Sequence, residues 1–276
     1  MPSFVTRLGD GWRRALDVLP LALVPVLTAL LNTEKLWSVL TFDGFHLSLR
    51  LAAPVSVVDV WTFVNPPSQG VTVQTGVPMV GFPLVLFVVP AALALQAALI
   101  AGYFGSLQEA LVAGRYDFAA NVRRFFLPFL VLTGVPVLLL LPFGFAGASG
   151  GLDALFPLVV LSIPVFIVLA YLFAATPYLL VLRETDLLDA LRASYGLAIA
   201  SGAYLRYLVG FLLFVLVLSP FASLLVVNVP VVGLVVGVAG GAVLGLATNL
   251  ATMRFVADVD PESPRVGTWA DRDAGD

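Results

Sequence analysis

Between Arg206 and Arg254 the chain runs for 47 residues without a charged side chain. As one helix that stretch would reach about 70 Å, more than twice the hydrocarbon thickness of a bilayer. It must therefore turn back, and Asn228-Val229-Pro230 supplies the turn residues. Burial in a soluble core is not an alternative. The 276 residues are 60% hydrophobic and only 11% charged, with a mean hydropathy of +1.04. Soluble domains carry roughly 25% charged residues. The chain reads as a polytopic integral membrane protein.

The remaining gaps between charges place the other spans. The expected crossings are 15–35, 79–104, 125–143, 154–182, 207–227 and 230–252, giving an all-α bundle of six transmembrane helices in a single membrane domain covering 1–257. Val55–Val64 is apolar, but ten residues make only about 15 Å of helix and Asp59 sits at the centre, so it is not counted as a span. An even count puts both termini on one side. Arg7, Arg13, Arg14, Arg115, Arg123, Arg124, Arg183, Arg192, Arg206, Arg254, Arg265 and Arg272 then share that side, against Lys35 and Arg50 on the other. The positive-inside rule makes the arginine-rich side cytoplasmic, and the expected location is the cell membrane. The arginine-containing start leads into a retained span rather than a cleaved signal peptide.

Two inner loops open alike. Ser106-Leu107-Gln108-Glu109-Ala110-Leu111 and Asp186-Leu187-Leu188-Asp189-Ala190-Leu191 each place a capping residue three positions before an acid, the logic of a capping box. Each continues with apolar residues at helical spacing and ends in arginine and aromatic residues. They are expected to form amphipathic helices along the inner interface, with arginines reaching lipid phosphates. Gly114 and Gly196 are candidate breaks in them.

These two stretches, "SLQEALVAGRYDFAANVRRFFLPFLVL" and "LLDALRASYGLAIASGAYLRYLVGFLLFVL", resemble a loose family of six-span integral membrane proteins of bacteria and haloarchaea, which includes the membrane domain attached to some glycerophosphodiester phosphodiesterases. The resemblance implies the six-span fold and carries over no catalytic residue. This sequence departs from it in having no segment large enough for a phosphodiesterase domain, and in its long outer loop. Lys35 is the sole lysine among 14 basic residues and the pI is about 5.1, a composition similar to that of proteins from salt-loving archaea.

Chemistry-bearing residues are sparse. There is no cysteine and a single histidine, His46, so thiol chemistry and polyhistidine metal centres are excluded. No catalytic, nucleotide-binding or zinc-protease motif is present. The expectation is no catalytic residue, no cofactor, no metal and no nucleic-acid partner. The span centres lack ionisable groups, which coupled carriers usually need. Gln96, Thr176 and Asn249 are the candidate cavity-lining residues, each also readable as one interhelical hydrogen bond. Gly233, Gly237, Gly241 and Gly245 fall at four-residue intervals and form a bare stripe suited to close helix packing, within the chain or against a second copy.

Residues 36–77 are expected to lie outside as a small β-prone insertion between the first two spans. Phe45, Leu47, Leu49 and Leu51 alternate with His46, Ser48 and Arg50, Val55–Val64 follows, and Gly70–Gln74 makes a third run. From Asp258 the acidic, proline-bearing tail to 276 reads as disordered in the cytoplasm. The functional expectation is a non-enzymatic accessory or organising protein whose partners are membrane lipids and either another membrane protein or a second copy. The alternative is a transporter or permease for a small apolar or lipid-like solute.

Overall fold

The computed structural model describes residues 3–68, 85–148, 152–229 and 231–266, without the side chains of 85, 140–148 and 152–159. Among these residues the chain is helical with no strand, an all-α polytopic bundle. Its helices are α1 (Phe4–Asp17), α2 (Leu23–Leu31), α3 (Thr33–Leu40), α4 (Val60–Phe63), α5 (Val85–Ala113), α6 (Phe118–Ala148), α7 (Leu152–Phe173), α8 (Thr176–Leu182), α9 (Leu187–Ala200), α10 (Gly202–Asn228) and α11 (Val232–Val259). Five helical stretches are long and apolar enough to cross a membrane, and a sixth crossing exists if α1 and the 19–31 segment are counted as one span bent by 102°.

That bend has a local cause. Pro20 lies in a 3-10 turn over Leu19–Ala22, and a proline there cannot continue the hydrogen-bond ladder of α1. Helix α1 lies across the C-terminal half of α11. Gly11 permits this, because a Cβ there would overlap the Ala247 carbonyl. Arg7 pairs with Asp258 at 2.6 Å and Asp10 with Arg254 at 3.5 Å.

The helices overrun the expected spans at the end that carries both termini. Ser106 does not open a new helix: it is fully buried inside α5, which continues unbroken to Ala113. Nothing between 91 and 113 breaks the ladder, and Gly114, at φ +70°, finally ends it. Asp186 behaves as expected, accepting the Asp189 N–H at 2.9 Å and starting α9. Helix α9 folds back on α7 and α8, with Ser194 donating to the Leu172 carbonyl at 2.8 Å and Tyr171 to that of Ala198 at 2.8 Å. Leu188, Tyr195 and Ile199 remain exposed along its outer face. Gly196 lies inside α9 without breaking it. Helix α10 ends at Asn228 and α11 begins at Val232, so the break falls where the sequence predicts it.

The main core gathers at the terminal end. Tyr103, Phe104, Phe129, Tyr178, Leu179, Leu246 and Leu250 are wholly buried there, and Phe104 meets Tyr178 edge-on at 5.0 Å. The tail also joins this end. Asp258 and Val259 belong to α11, Arg183 binds Asp260, and Val266 is buried, so the chain is held beyond the expected start of disorder at Asp258. Residues 267–276 and the 70–74 run lie outside the described residues.

Candidate functional site

The segment expected as an outer flap enters the bundle. From His46 it descends in extended form along α10, with its backbone bonded to side chains instead of to another strand. His46 donates its N–H to Asn228 Oδ1 at 2.8 Å, and Asn228 Nδ2 returns a bond to the His46 carbonyl at 2.7 Å. Ser223 Oγ accepts the Ser48 N–H at 3.3 Å. Ser219 Oγ accepts the Arg50 N–H at 2.8 Å and donates to the Ser48 carbonyl at 3.1 Å. Ser219 and Ser223 stand four residues apart on one face of α10, and Asn228 is its last residue. The alternation seen in the sequence is thereby explained. His46, Ser48 and Arg50 present their backbone groups to α10, while Phe45, Leu47, Leu49 and Leu51 are exposed. The apolar set thus points away from the bundle rather than into it.

The tip of this re-entrant segment is held by Asn249, which is completely buried. Its Oδ1 accepts the Val58 N–H at 2.9 Å and the Tyr103 hydroxyl at 3.2 Å. Its Nδ2 donates to the Ser56 carbonyl at 3.1 Å and to Tyr178 Oη at 2.8 Å. Asn249 lies seventeen residues from Val232, so the tip sits about 26 Å along α11 from its outer end. Backbone that is neither helix nor sheet is tolerated at such depth only where protein satisfies it. One asparagine does this for both backbone groups at the tip.

The glycine stripe provides the space. A Cβ at Gly245 would overlap the Val58 carbonyl, and at Gly241 it would lie 2.9 Å from Val60 Cα. Gly233 and Gly237 instead meet Leu225 and Val226 of α10. The C-terminal half of the stripe thus packs against the re-entrant segment and the N-terminal half against α10, all within the chain.

Past the tip, Asp59 starts the single turn of α4. Its carboxylate accepts the Trp61 N–H at 2.9 Å and the Thr28 hydroxyl at 3.2 Å, and its N–H donates to Thr62 Oγ1 at 3.3 Å. Trp61 Nε1 donates to the Ala29 carbonyl at 2.9 Å. The returning limb is tied to the descending one at Asn65, whose carbonyl lies 2.8 Å from His46 Nε2 and 3.1 Å from Ser48 Oγ, and whose Oδ1 accepts from Arg50 at 3.2 Å. Lys35 is buried with its ammonium 5.9 Å over the Trp61 ring. Lys35, Arg50 and Asp59 thus share one neighbourhood within the bundle. The expected spans carry no ionisable group at their centres, but this segment brings Asp59 alongside α11 between Gly241 and Gly245. The sequence reading missed it because it placed 36–77 outside.

The three expected cavity residues do not meet around a cavity. Asn249 is consumed by the segment it holds. Thr176 is fully buried at the start of α8, its hydroxyl without a partner. Gln96 is half-buried on α5, seven residues or about 10 Å outward of Tyr103. For Asn249 the reason is that residues 56–58 occupy the space its amide would otherwise line. What remains open is a groove of about 280 Å³ between α10 and α11, apolar, with Val60 and Phe63 as its floor. Among the described residues no cluster of acids and histidine forms a metal site. No protein-family model, curated protein or solved structure matches this chain.

Proposed function

We propose that the protein is a non-enzymatic integral membrane protein that organises or supports other membrane components, with a closed interior. The observation that carries this reading is the engagement of Asn249. A solute path needs free polar groups along the axis, and the buried amide that best qualifies spends all its bonding capacity on residues 56 and 58 and on two tyrosines. The exposed apolar faces of α7 and α9 add surface for lipid or for a partner helix. The arginine distribution supports a cell-membrane orientation with both termini in the cytoplasm.

Proteoliposomes test the closed interior. Wild-type protein is expected to give no leak of encapsulated small solutes and no exchange of labelled lipid between leaflets above that of empty vesicles. A saturable flux would replace this reading with the second one, a carrier for a lipid-like solute. That second reading draws on the α10–α11 groove, which faces lipid and is lined by Phe221, Leu225 and Gly240 above the re-entrant floor.

A further inference from the structure

We propose that α1 is a membrane-surface anchor, lying in the plane of the bilayer at the terminal end of the bundle with Val5, Trp12 and Leu16 sunk into the lipid leaflet there. The first observation is direction. Between α1 and the 19–31 segment the chain bends by 102°, and α1 crosses three helices instead of running beside one. Phe4 lies against Gly210 of α10, Gly11 against Ala247 and Ala251 of α11, and Arg14 donates to the Ala110 carbonyl of α5. Gly210 is eight residues from the start of α10 and Ala251 eight residues from the end of α11, so both contacts sit about 12 Å from those helix ends. Both positions fall within three residues of the terminal-side limits of the expected spans 207–227 and 230–252. A helix that meets two neighbours at one level, where their apolar stretches stop, runs along the membrane boundary.

The second observation is how the residues of α1 divide around its axis. At 3.6 residues per turn, Arg7, Gly11, Arg14 and Ala15 form one sector, which is buried against the bundle. Val5, Trp12 and Leu16 form the next and are exposed, with Gly9 among them, where a Cβ would meet nothing within 4 Å. Thr6, Arg13 and Asp17 form the third, also exposed. A helix between protein and water has no use for the apolar exposed sector, and one between protein and hydrocarbon has no place for the polar one. Three sectors fit a helix with protein beside it, hydrocarbon beneath and water above.

The apolar sector also continues into a surface of the same character. Leu19, Leu23, Leu27 and Leu30 follow Leu16 at three- and four-residue steps and are exposed along the 19–31 segment. Tryptophan suits the boundary at which this stripe turns. The attraction is apolar and needs no anionic lipid. Arg7 is bonded to Asp258 and Arg14 to the Ala110 carbonyl, and the exposed Arg13 shares its sector with Asp17. The anchor stands whether or not the interior is closed.

The test is spin labelling of the full chain in phosphatidylcholine vesicles, with single cysteines in a sequence that has none. Collisions of the label with oxygen, which concentrates in lipid, are compared with collisions with a water-soluble nickel chelate present on both sides of the membrane. Labels at Val5→Cys and Leu16→Cys are expected to show an oxygen-to-nickel ratio several-fold above that of labels at Thr6→Cys and Arg13→Cys. All four side chains are exposed, so no substitution removes a packed group. Equal ratios in the two sectors, with nickel reaching both, would hold α1 clear of the lipid and overturn the proposal. Labels at 5 and 16 that neither reagent reaches would overturn it as well, because that face would then be covered by protein, such as a second copy.

Discussion

At the scale of single residues, the fold depends on Asn249 and on the absence of side chains opposite it. Asn249→Ala strands the Val58 N–H and the Ser56 carbonyl in a dry interior, where each orphaned group costs about 1–3 kcal/mol. The expected loss is on the order of 3 kcal/mol, read as a lower unfolding midpoint in detergent micelles, and a midpoint unchanged from wild type would contradict the clamp. Two neighbouring glycines make a sharper comparison. Gly245→Ala forces a methyl into the Val58 carbonyl, which Asn249 prevents from moving, and overpacking of this kind costs about 1–3 kcal/mol. Gly240→Ala meets nothing within 4 Å and removes a helix-interior glycine, so it is expected to be neutral or to stabilise by up to about 1 kcal/mol. If both alanine variants behaved alike, the stripe would not be serving the re-entrant segment.

At the scale of elements, the re-entrant segment predicts a pattern of chemical access. The chain has no cysteine, so single cysteines report cleanly. With a membrane-impermeant maleimide, Asp43→Cys is expected to label readily, since residue 43 is a charged, exposed position in the turn that precedes the segment. Val58→Cys, at 1% exposure, is expected to stay unlabelled in the folded protein and to become reactive when combined with Asn249→Ala. Rapid labelling of Val58→Cys alone would return the segment to the outside. The helical crossings were legible because a long uncharged run has few physical solutions. The depth of residues 45–65 was not, because alternation of Phe45, Leu47, Leu49 and Leu51 has the same form whether the apolar side meets a protein core or lipid. A signal was nevertheless present in α10: Ser219 and Ser223 put two hydroxyls on one face of an apolar helix and Asn228 an amide at its end, and such groups need partners. Asn249 could be singled out in advance, but the two partners that define the re-entrant tip are backbone atoms 191 and 193 residues away in sequence, which leave no trace in residue types.

At the scale of the whole molecule, the ends of the chain are latched to the bundle by charge, and the latch has a pH dependence. Arg183, just beyond α8, binds Asp260, just beyond α11, and also Glu262 at 2.6 Å, while Ser263 donates to the same Asp260 carboxylate. Burial alone would raise the Asp260 carboxyl, but the bonds from Arg183 and Ser263 outweigh it and hold it below its ordinary value of 3.8. The unfolded chain therefore takes up this proton at a higher pH than the folded one. The stabilisation is fully present above the ordinary carboxylate range and is lost as the pH falls below about 4 through the depressed folded value. Glu262 is largely exposed, so its share is small. Between pH 7 and pH 3, wild-type protein is expected to lose thermal midpoint more steeply than Asp260→Asn, which starts lower at neutral pH because it lacks the ion pair. Protease access to the tail should follow the same curve, since residues 260–266 are held against the bundle through this carboxylate and through buried Val266. Parallel acid curves for the two proteins would mean that the apolar core at the terminal end, and not the charge pair, fixes the tail. The latch would then add nothing to the cluster of buried apolar residues that already joins α5, α8 and α11.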